Sequence, residues 1–422
     1  MQQNLVILLA DQDQERMCSK EPIALHSLCG RTVFDWVMRH FADWPEPPVA
    51  LLGYGADKIR AYYGERLRYI EHESLFGTIG TLLHASELIG KTQGRVIVVA
   101  GNLPMLKKQS IDMLVNITAE AASLATVQDA DTQRAEDIGA YSFDAKFLFE
   151  LLTELKESFN TITLEKFVAQ LKQIKSGIEQ IPVSYRESLS VTDRAALSAC
   201  ARELRREINI RHMFAGVTMI DPDNTYIDDT VRIGRDCTIY PGVVLEGETV
   251  LGEDCVLYPS CRLSNSRFGS GMLAQGVVAN DAVVGDNVTL GPYVHLRPNT
   301  NIADNCKIGN YIEVKNSNVG EGTKLPHLSY IGDADFGRRV NVGCGSVCVN
   351  YDGQKKHRTT IGDDAFIGCN TSLVAPVSVG EGAYTAAGSV ITQDVPPNSL
   401  ALGRARQVNK PGYVEKLREK RK

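Results

Sequence analysis

Polar residues of the types that transfer protons and bind phosphate are concentrated between positions 295 and 370 of this chain. Histidine is the commonest general base in enzymes, and a nearby carboxylate can orient its ring. Arginine and lysine bind phosphate, and the planar arginine side chain suits bidentate contacts. One such residue alone is more often an ordinary surface residue, so the inference rests on the set. Its members are His295, Arg297, Glu313, Lys315, His327, Tyr330, Asn341, Asn350 and Lys356.

The elements that must position these residues show a six-residue period. Aliphatic residues recur every six positions from Ile227 to Leu263, from Val278 to Val314 and from Ile361 to Val379, where the period holds without a miss. Hexapeptide spacing is typical of a parallel β-helix, and neither a period of 3.6 nor a period of two explains it. We therefore expect a left-handed parallel β-helix with room for roughly nine three-sided coils. Enzymes on this solenoid tend to be acyltransferases.

The longest break in the period lies between Val347 and Ile361 and contains the polar run from Asn350 to Arg358. A polar insertion in a regular solenoid is expected to form an external loop. Such loops commonly gather on the binding face.

The ten cysteines are explained without disulfides. None forms a C-x-x-C pair, which fits reduced thiols in the cytosol better than a disulfide framework. Four of them lie four residues after an aliphatic position, where a coil points a small side chain inward: Cys237, Cys255, Cys261 and Cys306. Because free cysteine behaves as a small hydrophobe, we expect core packing rather than a metal or redox site.

Several motifs in order carry a resemblance to a known family. They are Leu296-Arg297-Pro298, Glu313-Val314-Lys315, the run from His327 to Ala334, Val340-Asn341-Val342-Gly343 and Asn350-Tyr351-Asp352-Gly353. Together they closely resemble the C-terminal half of the bifunctional family that acetylates glucosamine 1-phosphate and then makes UDP-N-acetylglucosamine. The resemblance extends to Ala386-Ala387-Gly388 and Leu402-Gly403-Arg404.

The resemblance implies an N-acetyltransferase that uses acetyl-CoA and an amino-sugar phosphate. His327 is expected to take the proton from the sugar ammonium, and Glu313 to orient that histidine. The phosphate is expected to be bound by Arg297, Lys315 and Lys356, and the sugar to be positioned by Tyr330, Asn341 and Asn350. Backbone N–H groups around Tyr351 are expected to stabilise the oxyanion. The acetyl-CoA cleft is expected at Cys369, Ala387 and Arg404. No metal ligand is implied here.

Two further expectations follow from the resemblance. In this family the site forms between subunits, so an obligate homotrimer is implied. Cys369 replaces a common serine, and a thiol is a weaker hydrogen-bond partner than a hydroxyl, so reduced turnover is expected if that serine contacts CoA. Direct acetyl transfer needs no nucleophile, so Cys369 is not assigned as one.

The first 190 residues resemble the family's nucleotidyltransferase domain on a Rossmann-like α/β sheet. Apolar runs from Leu5 to Leu9 and from Arg95 to Val99 fit buried parallel strands. The family's glycine-rich phosphate loop is replaced here by the run from Leu9 to Met17, in which Gln12 and Gln14 stand for the two glycines. Added acidic residues, Asp11, Asp13 and Glu15, oppose a triphosphate, which needs close backbone approach and N–H donors.

Other nucleotide-binding positions have also changed. Ile23 replaces a family lysine, and Asn102 replaces the metal aspartate of a Gly-Asp-x-Pro motif. Gly77-Thr78 retains a base-contacting pair, and Asp137 falls near the second metal position. An uncharged asparagine cannot balance Mg²⁺ opposite a triphosphate. We therefore predict that uridyltransferase activity is lost, and that Mg²⁺ is needed only if this domain is active.

The sequence also predicts the domain boundaries and the cellular location. We predict a degenerate nucleotidyltransferase domain at 1–190, a connecting helix at 191–216, the β-helix at 217–405 and a basic tail at 406–422. Net charge is −6, with 45 Lys and Arg against 51 Asp and Glu, so no basic field indicates nucleic acid. No apolar stretch is long enough to span a membrane, and the first strand lacks the basic start of a signal peptide. A cytoplasmic protein is expected.

Four alternatives stay open at this point. The chain could retain both activities and also make UDP-N-acetylglucosamine from UTP. It could acetylate another amino-sugar phosphate, or it could be a non-catalytic trimeric scaffold. A metal-dependent hydratase of the carbonic anhydrase type is disfavoured, because His295, His327 and His357 show no close histidine pair.

Overall fold

The computed structural model describes residues 4–10, 15–71, 82–117, 119–128, 135–155 and 177–421. The chain forms two compact units, Met1–Glu207 and Ile208–Lys422. A helix at Arg194–Phe214 crosses this division, where the sequence predicts a connecting helix. The finer boundaries given above remain predictions.

The first unit is an α/β domain on a mixed sheet of seven strands. The strands are β1 Leu5–Ala10, β2 Val49–Leu52, β3 Arg68–Glu71, β4 Arg95–Ala100, β5 Ala122–Gln128, β6 Ala135–Asp144 and β7 Ile178–Pro182. Their order is β3-β2-β1-β4-β6-β5-β7. Strand β1 runs parallel to β2 and β4, whereas β6 runs antiparallel to β4 and β5. A short hairpin pairs Ser27–Leu28 with Arg31–Thr32.

Among the described residues, the α-helices are α1 Val33–Met38, α2 Ala56–Tyr63, α3 Ser86–Lys91, α4 Lys108–Asn116, α5 Ala145–Leu155, α6 Arg194–Phe214 and α7 Tyr413–Glu419. The 3-10 turns are Glu15–Met17, Ile23–Leu25, Arg39–Phe41, Gly64–Arg66, Tyr185–Ser188 and Pro222–Asn224. Strand β1 is buried on both faces, because Ile7 and Leu9 join one core cluster while Leu8 joins the other. This double burial explains its continuous apolar sequence.

The second unit is a three-sided parallel β-helix, as the period predicts. Its first face contains Thr218–Met219, Thr238–Ile239, Val256–Leu257, Leu273–Ala274, Thr289–Leu290, Asn341–Val342, Phe366–Ile367, Tyr384–Thr385 and Leu400–Ala401. Its second face contains Tyr226–Ile227, Val244–Glu246, Arg262–Ser264, Val277–Asn280, Val294–Leu296, Val347–Val349, Ser372–Val374 and Val390–Ile391. Two long strands, Lys307–Lys315 and Lys324–Gly332, continue from the first face to the second.

The third face completes each coil with a separate nine-stranded sheet. Its strands are Arg232–Ile233, Val250–Leu251, Arg267–Phe268, Ala282–Val284, Thr300–Ile302, Asn318–Val319, Ala334–Phe336, Thr359–Ile361 and Val377–Val379. The aliphatic residues of the period fill the interior, as Ile239, Leu245 and Leu257 do with no exposed surface.

The predictions about small core residues and the loop are confirmed. The four predicted core cysteines, Cys237, Cys255, Cys261 and Cys306, are buried. The insertion after Asn350 is external, since residues 351–356 are all exposed. No helix in the described parts of the chain is both long and apolar enough to cross a membrane.

Candidate active site

One edge of the β-helix, between the first and second faces, carries a column of outward side chains that we call the His327 corner. Its members in consecutive coils are Asn310, His327, Cys344, Cys369 and Ala387. Asn310 pairs with His327 in the strand register, and the backbone N–H of Gly345 donates to the Leu328 carbonyl at 3.0 Å. Backbone hydrogen bonds also join the next coils: the N–H of Asn370 donates to the Cys344 carbonyl at 2.7 Å, and the N–H of Gly388 donates to the Cys369 carbonyl at 2.8 Å.

His327 is exposed at this corner, and among the described residues its ring forms a hydrogen bond with the side chain of Asn310. Its Nδ1 lies 2.6 Å from Asn310 Oδ1. An amide oxygen only accepts hydrogen bonds, so Nδ1 carries the proton in the neutral ring and Nε2 is left as the acceptor. This arrangement presents a base toward solvent.

The backbone next to Asn310 and His327 adopts an uncommon conformation. Tyr311 and Leu328, which follow Asn310 and His327, have φ values of 58° and 48°. Bulky residues rarely adopt positive φ, and such strain is concentrated at functional sites. The Tyr311 and Leu328 side chains are more than half exposed, so core packing does not account for their positive φ values.

Three of the residues predicted to line the acetyl-CoA cleft lie along the same corner. Cys369 and Ala387 are exposed neighbours in the column. Arg404 is exposed in the next coil, where a Cβ placed on Gly388 would lie 3.9 Å from its Cδ. The corner thus offers an exposed base, small side chains and a cation in a line.

A second group, which we call the Asp333 corner, lies at the opposite edge of the second face. Lys315 Nζ is 3.5 Å from Asp333 Oδ2, and both side chains are largely buried. The amide nitrogens of Asn316 and Asn350 also donate to the Asp333 carboxylate. These hydrogen bonds, together with the charges of Lys315 and Lys356, hold the pKa of Asp333 below its usual range against the opposing effect of burial.

Lys356 lies close enough to this corner for its charge to interact with Lys315 and Asp333. Its proximity to the positive charge of Lys315 lowers the pKa of Lys356, and the nearby Arg297 lowers it further. Two ammonium groups near one carboxylate leave net positive charge at this corner. An anion that binds between them relieves this repulsion.

The second face connects the two corners. Arg297 Nη1 donates to Glu313 Oε1 at 2.8 Å, and both side chains are about 40% exposed (40% and 38%). Glu313 pairs in register with Tyr330 on the next strand. The Asn350 Nδ2 group lies 3.4 Å from the Tyr330 hydroxyl, so Tyr330 leans toward the Asp333 corner.

The external loop is a tight hairpin that presents Lys356 and Tyr351. Tyr351 and Lys356 form a β-bridge, and the N–H groups of Gln354 and Lys355 donate to Asp352 Oδ1 at 2.7 Å. The Asp352 Oδ2 atom lies 2.6 Å from His357 Nε2. These contacts lower the pKa of Asp352 and fix the loop from within.

The structure brings together some of the predicted residues and separates others. Arg297, Lys315, Tyr330, Asn350 and Lys356 gather on the side of the Asp333 corner, together with Tyr351. His327, Cys369, Ala387 and Arg404 line the other corner, and Asn341 lies on the first face, in register with Lys324. His327 and Asp333 are six positions apart in the chain, on the order of 15–20 Å of strand.

The orienting contact predicted for Glu313 is made within this chain by Asn310 instead. Among the hydrogen bonds of the described residues, Glu313 contacts Arg297, because its strand position falls three residues beyond Asn310. Sequence reasoning missed Asn310 and Asp333. The signal was available, because each lies one 17-residue coil away from a chosen residue: Asn310 from His327, and Asp333 from Asn350.

In the first unit, the described residues at the family's nucleotide-binding positions are buried or make contacts within the fold. Asn102 is buried, its Nδ2 donates to the Val191 carbonyl at 3.1 Å, and its own carbonyl accepts from Val191 N–H at 2.8 Å. Ile23 is buried. Asp137 accepts hydrogen bonds from Gly139 N–H and the Tyr141 hydroxyl. Residues 11–14 and Gly77-Thr78 lie outside the described residues.

Comparisons with known proteins agree with this geometry. The family model described as bacterial transferase hexapeptide (six repeats) matches residues 281–311 and 358–393. Over 455 residues the chain is 39% identical to the bifunctional protein GlmU of Geobacillus sp. (strain WCH70), covering 99% of each. The chain belongs to the GlmU family.

Other GlmU proteins show the same extent of similarity. The match to GlmU of Listeria monocytogenes serotype 4b (strain CLIP80459) is 39% identical over 456 residues and covers 99% of each chain. The match to GlmU of Geobacillus thermodenitrificans (strain NG80-2) is 38% identical over 460 residues and covers 100% of each. Family membership confirms the predicted resemblance and the fold class, and it identifies the chain as an enzyme of the glucosamine-1-phosphate N-acetyltransferase type.

Proposed function

We propose that this GlmU-family chain transfers the acetyl group of acetyl-CoA to the amine of glucosamine 1-phosphate in the cytoplasm. The product, N-acetylglucosamine 1-phosphate, would enter UDP-N-acetylglucosamine biosynthesis. The observation that carries the proposal is His327, an exposed histidine whose Nδ1 is fixed by Asn310 beside the predicted acetyl-CoA cleft.

The chemistry follows from the free nitrogen of that histidine. Nε2 takes a proton from the sugar ammonium, and the neutral amine then attacks the thioester carbonyl. The charge that develops on the carbonyl oxygen requires N–H donors, for which the exposed backbone near Tyr351 is the candidate. The released CoA thiolate takes a proton, and no covalent enzyme intermediate is needed.

The acceptor is proposed to be phosphorylated because of the Asp333 corner. Lys315 pairs with Asp333 and Lys356 lies near both, so an incoming phosphate would gain two charge-assisted contacts there. Arg297 is held by Glu313, and its remaining N–H groups offer a third cation to the same substrate. Asn341 and Tyr330 are proposed to position the sugar ring.

We infer that the working enzyme is a homotrimer, because one chain carries the two halves of the site on different edges. The base and the acetyl-CoA residues line the His327 corner, whereas the phosphate residues lie across the width of the second face. Direct transfer requires reacting atoms roughly 3–3.5 Å apart. Corners from two copies, brought together around a threefold axis, satisfy this requirement.

We propose that uridyl transfer is lost, and Asn102 supports this part. The Nδ2 group at the family's metal position is engaged as a donor to Val191 O, a contact that a carboxylate cannot make. Mg²⁺ and UTP would then be needed only if this unit were active.

Thiol-release kinetics with acetyl-CoA test the acetyl-transfer proposal. We expect release with glucosamine 1-phosphate, weak release with unphosphorylated glucosamine, and near-complete loss in His327→Ala. Activity with another amino-sugar phosphate would redirect the acceptor assignment. No release from any amino sugar would favour a non-catalytic scaffold.

A second candidate function, retention of both activities, has one observation in its favour. A carboxylate, Asp193, lies two positions along the chain from Val191, whose backbone is hydrogen-bonded to Asn102 at the altered metal position. Its Oδ1 already caps helix α6 by accepting from Ala196 N–H at 2.8 Å. Formation of UDP-N-acetylglucosamine from UTP, Mg²⁺ and N-acetylglucosamine 1-phosphate would establish the bifunctional enzyme.

A further inference from the structure

Two thiols stand next to each other in the column of the His327 corner. Cys344 and Cys369 occupy equivalent positions in consecutive coils, and the N–H of Asn370 donates to the Cys344 carbonyl at 2.7 Å. A Cβ built on Gly343 would lie only 2.8 Å from Cys369 Cα, which shows how closely the two coils approach. Cys369 is exposed and Cys344 half-buried, whereas the other described cysteines of this unit are buried in the core.

The spacing of the coils brings these thiols within reach of each other. Neighbouring strands lie about 4.8 Å apart, and Cα atoms joined through a disulfide lie roughly 4.4–6.8 Å apart. Cβ atoms at matched parallel positions stay about one strand spacing apart, slightly more than the ~3.8 Å usual in a disulfide. A bridge therefore needs a small local shift, and the resulting strain makes it easy to reduce.

The neighbours of the pair connect it to the proposed chemistry. His327 directly precedes Cys344 in the column, and Ala387 directly follows Cys369. Cys344 thus lies between the proposed base and Cys369, which is itself one of the residues proposed to line the acetyl-CoA cleft. A nearby imidazole can accept the proton that a thiol loses before it attacks a disulfide.

We propose that Cys344 and Cys369 form a reversible disulfide that closes the acyl-donor cleft, an inference that rests on the proposed acetyltransferase function. A sulfur–sulfur bond across the two coils ties the corner together between His327 and Ala387. The donor thioester must pass this point to reach the base, so the bridged form is inactive.

The oxidant is a low-molecular-weight disulfide, such as oxidised glutathione or the disulfide of coenzyme A. The exposed Cys369 loses a proton and attacks one sulfur of that disulfide, which gives a mixed disulfide and releases one thiol. Cys344 then loses its proton and attacks the Cys369 sulfur, which closes the bridge and releases the second thiol. Two protein thiols are oxidised by two electrons, and one external disulfide is reduced to two thiols that take up the two protons.

The test treats the reduced full-length protein with oxidised glutathione and follows both peptides and activity. Non-reducing digestion and mass spectrometry are expected to show a Cys344–Cys369 linked peptide. The acetyl-transfer rate is expected to fall in proportion to the bridged fraction and to return with dithiothreitol. Absence of the linked peptide, or a bridge that leaves the rate unchanged, would overturn the proposal.

Variants separate the two steps, each compared with its own reduced form. Cys344→Ala is expected to stop at a glutathione adduct on Cys369, and Cys369→Ser to form no bridge. The matched control is Cys348→Ala, a core cysteine four residues from Cys344, which should still form the bridge. A bridge that persists without Cys344 would identify the wrong pair. Reduced protein that transfers no acetyl group would overturn the proposed function instead, because the peptide map tests the thiols without activity.

Discussion

The polar residues of the β-helix corners and the polar residue at position 102 of the α/β unit are held in opposite ways. His327 is exposed, and its contact with Asn310 leaves one ring nitrogen facing outward. Asn102 is buried, and its side-chain donor is engaged by a backbone carbonyl. The first arrangement leaves the Nε2 atom of His327 available to a substrate, whereas the second uses the polar side chain of Asn102 in a contact that holds the fold. The difference supports the proposal that His327 belongs to a working site and that position 102 does not.

Removal of the proposed base, His327, should produce the largest loss of activity. If it did not, the contrast between His327 and Asn102 would lose its functional meaning. In His327→Ala the amine keeps its proton, so kcat for acetyl transfer is expected to fall by roughly 10²–10⁴-fold. The measurement is CoA release with saturating glucosamine 1-phosphate. Asn310→Ala serves as the graded companion, because it leaves the base in place and removes only its orienting contact. Equal activity of wild type and His327→Ala would contradict the assignment.

The phosphate cluster should give the next largest effect. Lys315→Ala removes one of the two ammonium groups at the Asp333 corner, so KM for glucosamine 1-phosphate is expected to rise about 10–100-fold, as for loss of a charge-assisted contact. Steady-state kinetics at fixed acetyl-CoA measure it. Lys355→Ala is the matched control, since that lysine is the exposed sequence neighbour of Lys356 but lies outside the cluster. A similar rise in both variants would mean that general charge, and not the Lys315–Lys356 pair, sets affinity.

Position 102 tests the other side of the comparison. In Asn102→Asp a carboxylate faces the Val191 carbonyl instead of donating to it, and burial leaves it without a partner. We expect unfolding of the first unit to become easier by about 1–3 kcal/mol, with no gain of uridyl transfer. Urea unfolding followed by tryptophan fluorescence reports this unit, which holds both tryptophans of the chain, Trp36 and Trp44. Asn116→Asp, the same change at an exposed residue, should shift stability by less than about 0.5 kcal/mol. Unchanged stability together with new UDP-sugar formation would show that position 102 is still a metal site.

The sequence was sufficient for the parts of the molecule that repeat. The period from Ile227 onward predicts the three-sided coil, because each inward aliphatic position must be filled in every turn. The buried cysteines, such as Cys237, follow from the same rule. The external position of the loop after Asn350 follows from its polarity.

The contacts across coils could not be predicted in the same way. The partner of His327 depends on the 17-residue length of that coil, and some other coils are one residue shorter or longer. The register therefore decides that Asn310, and not Glu313, meets His327. The pairing of Cys344 with Cys369 spans the loop insertion, which hides it from any fixed period. The engagement of Asn102 by Val191 joins residues 89 positions apart, and nothing in the local sequence indicates it.

The smallest expected effect is a pH dependence of KM, which tests whether Lys315 and Lys356 act as a coupled pair. The proximity and like charge of Lys315 lower the pKa of Lys356. Below that lowered pKa Lys356 is charged and binds phosphate, and above it the side chain is neutral. The phosphate is already a dianion at about pH 7, so KM for glucosamine 1-phosphate is expected to rise a few-fold as the pH approaches the lowered pKa of Lys356 from below. Lys356→Arg keeps its charge throughout this range, so its KM should stay flat. An identical rise in the arginine variant would place the titrating group elsewhere and remove the evidence that the two lysines act together.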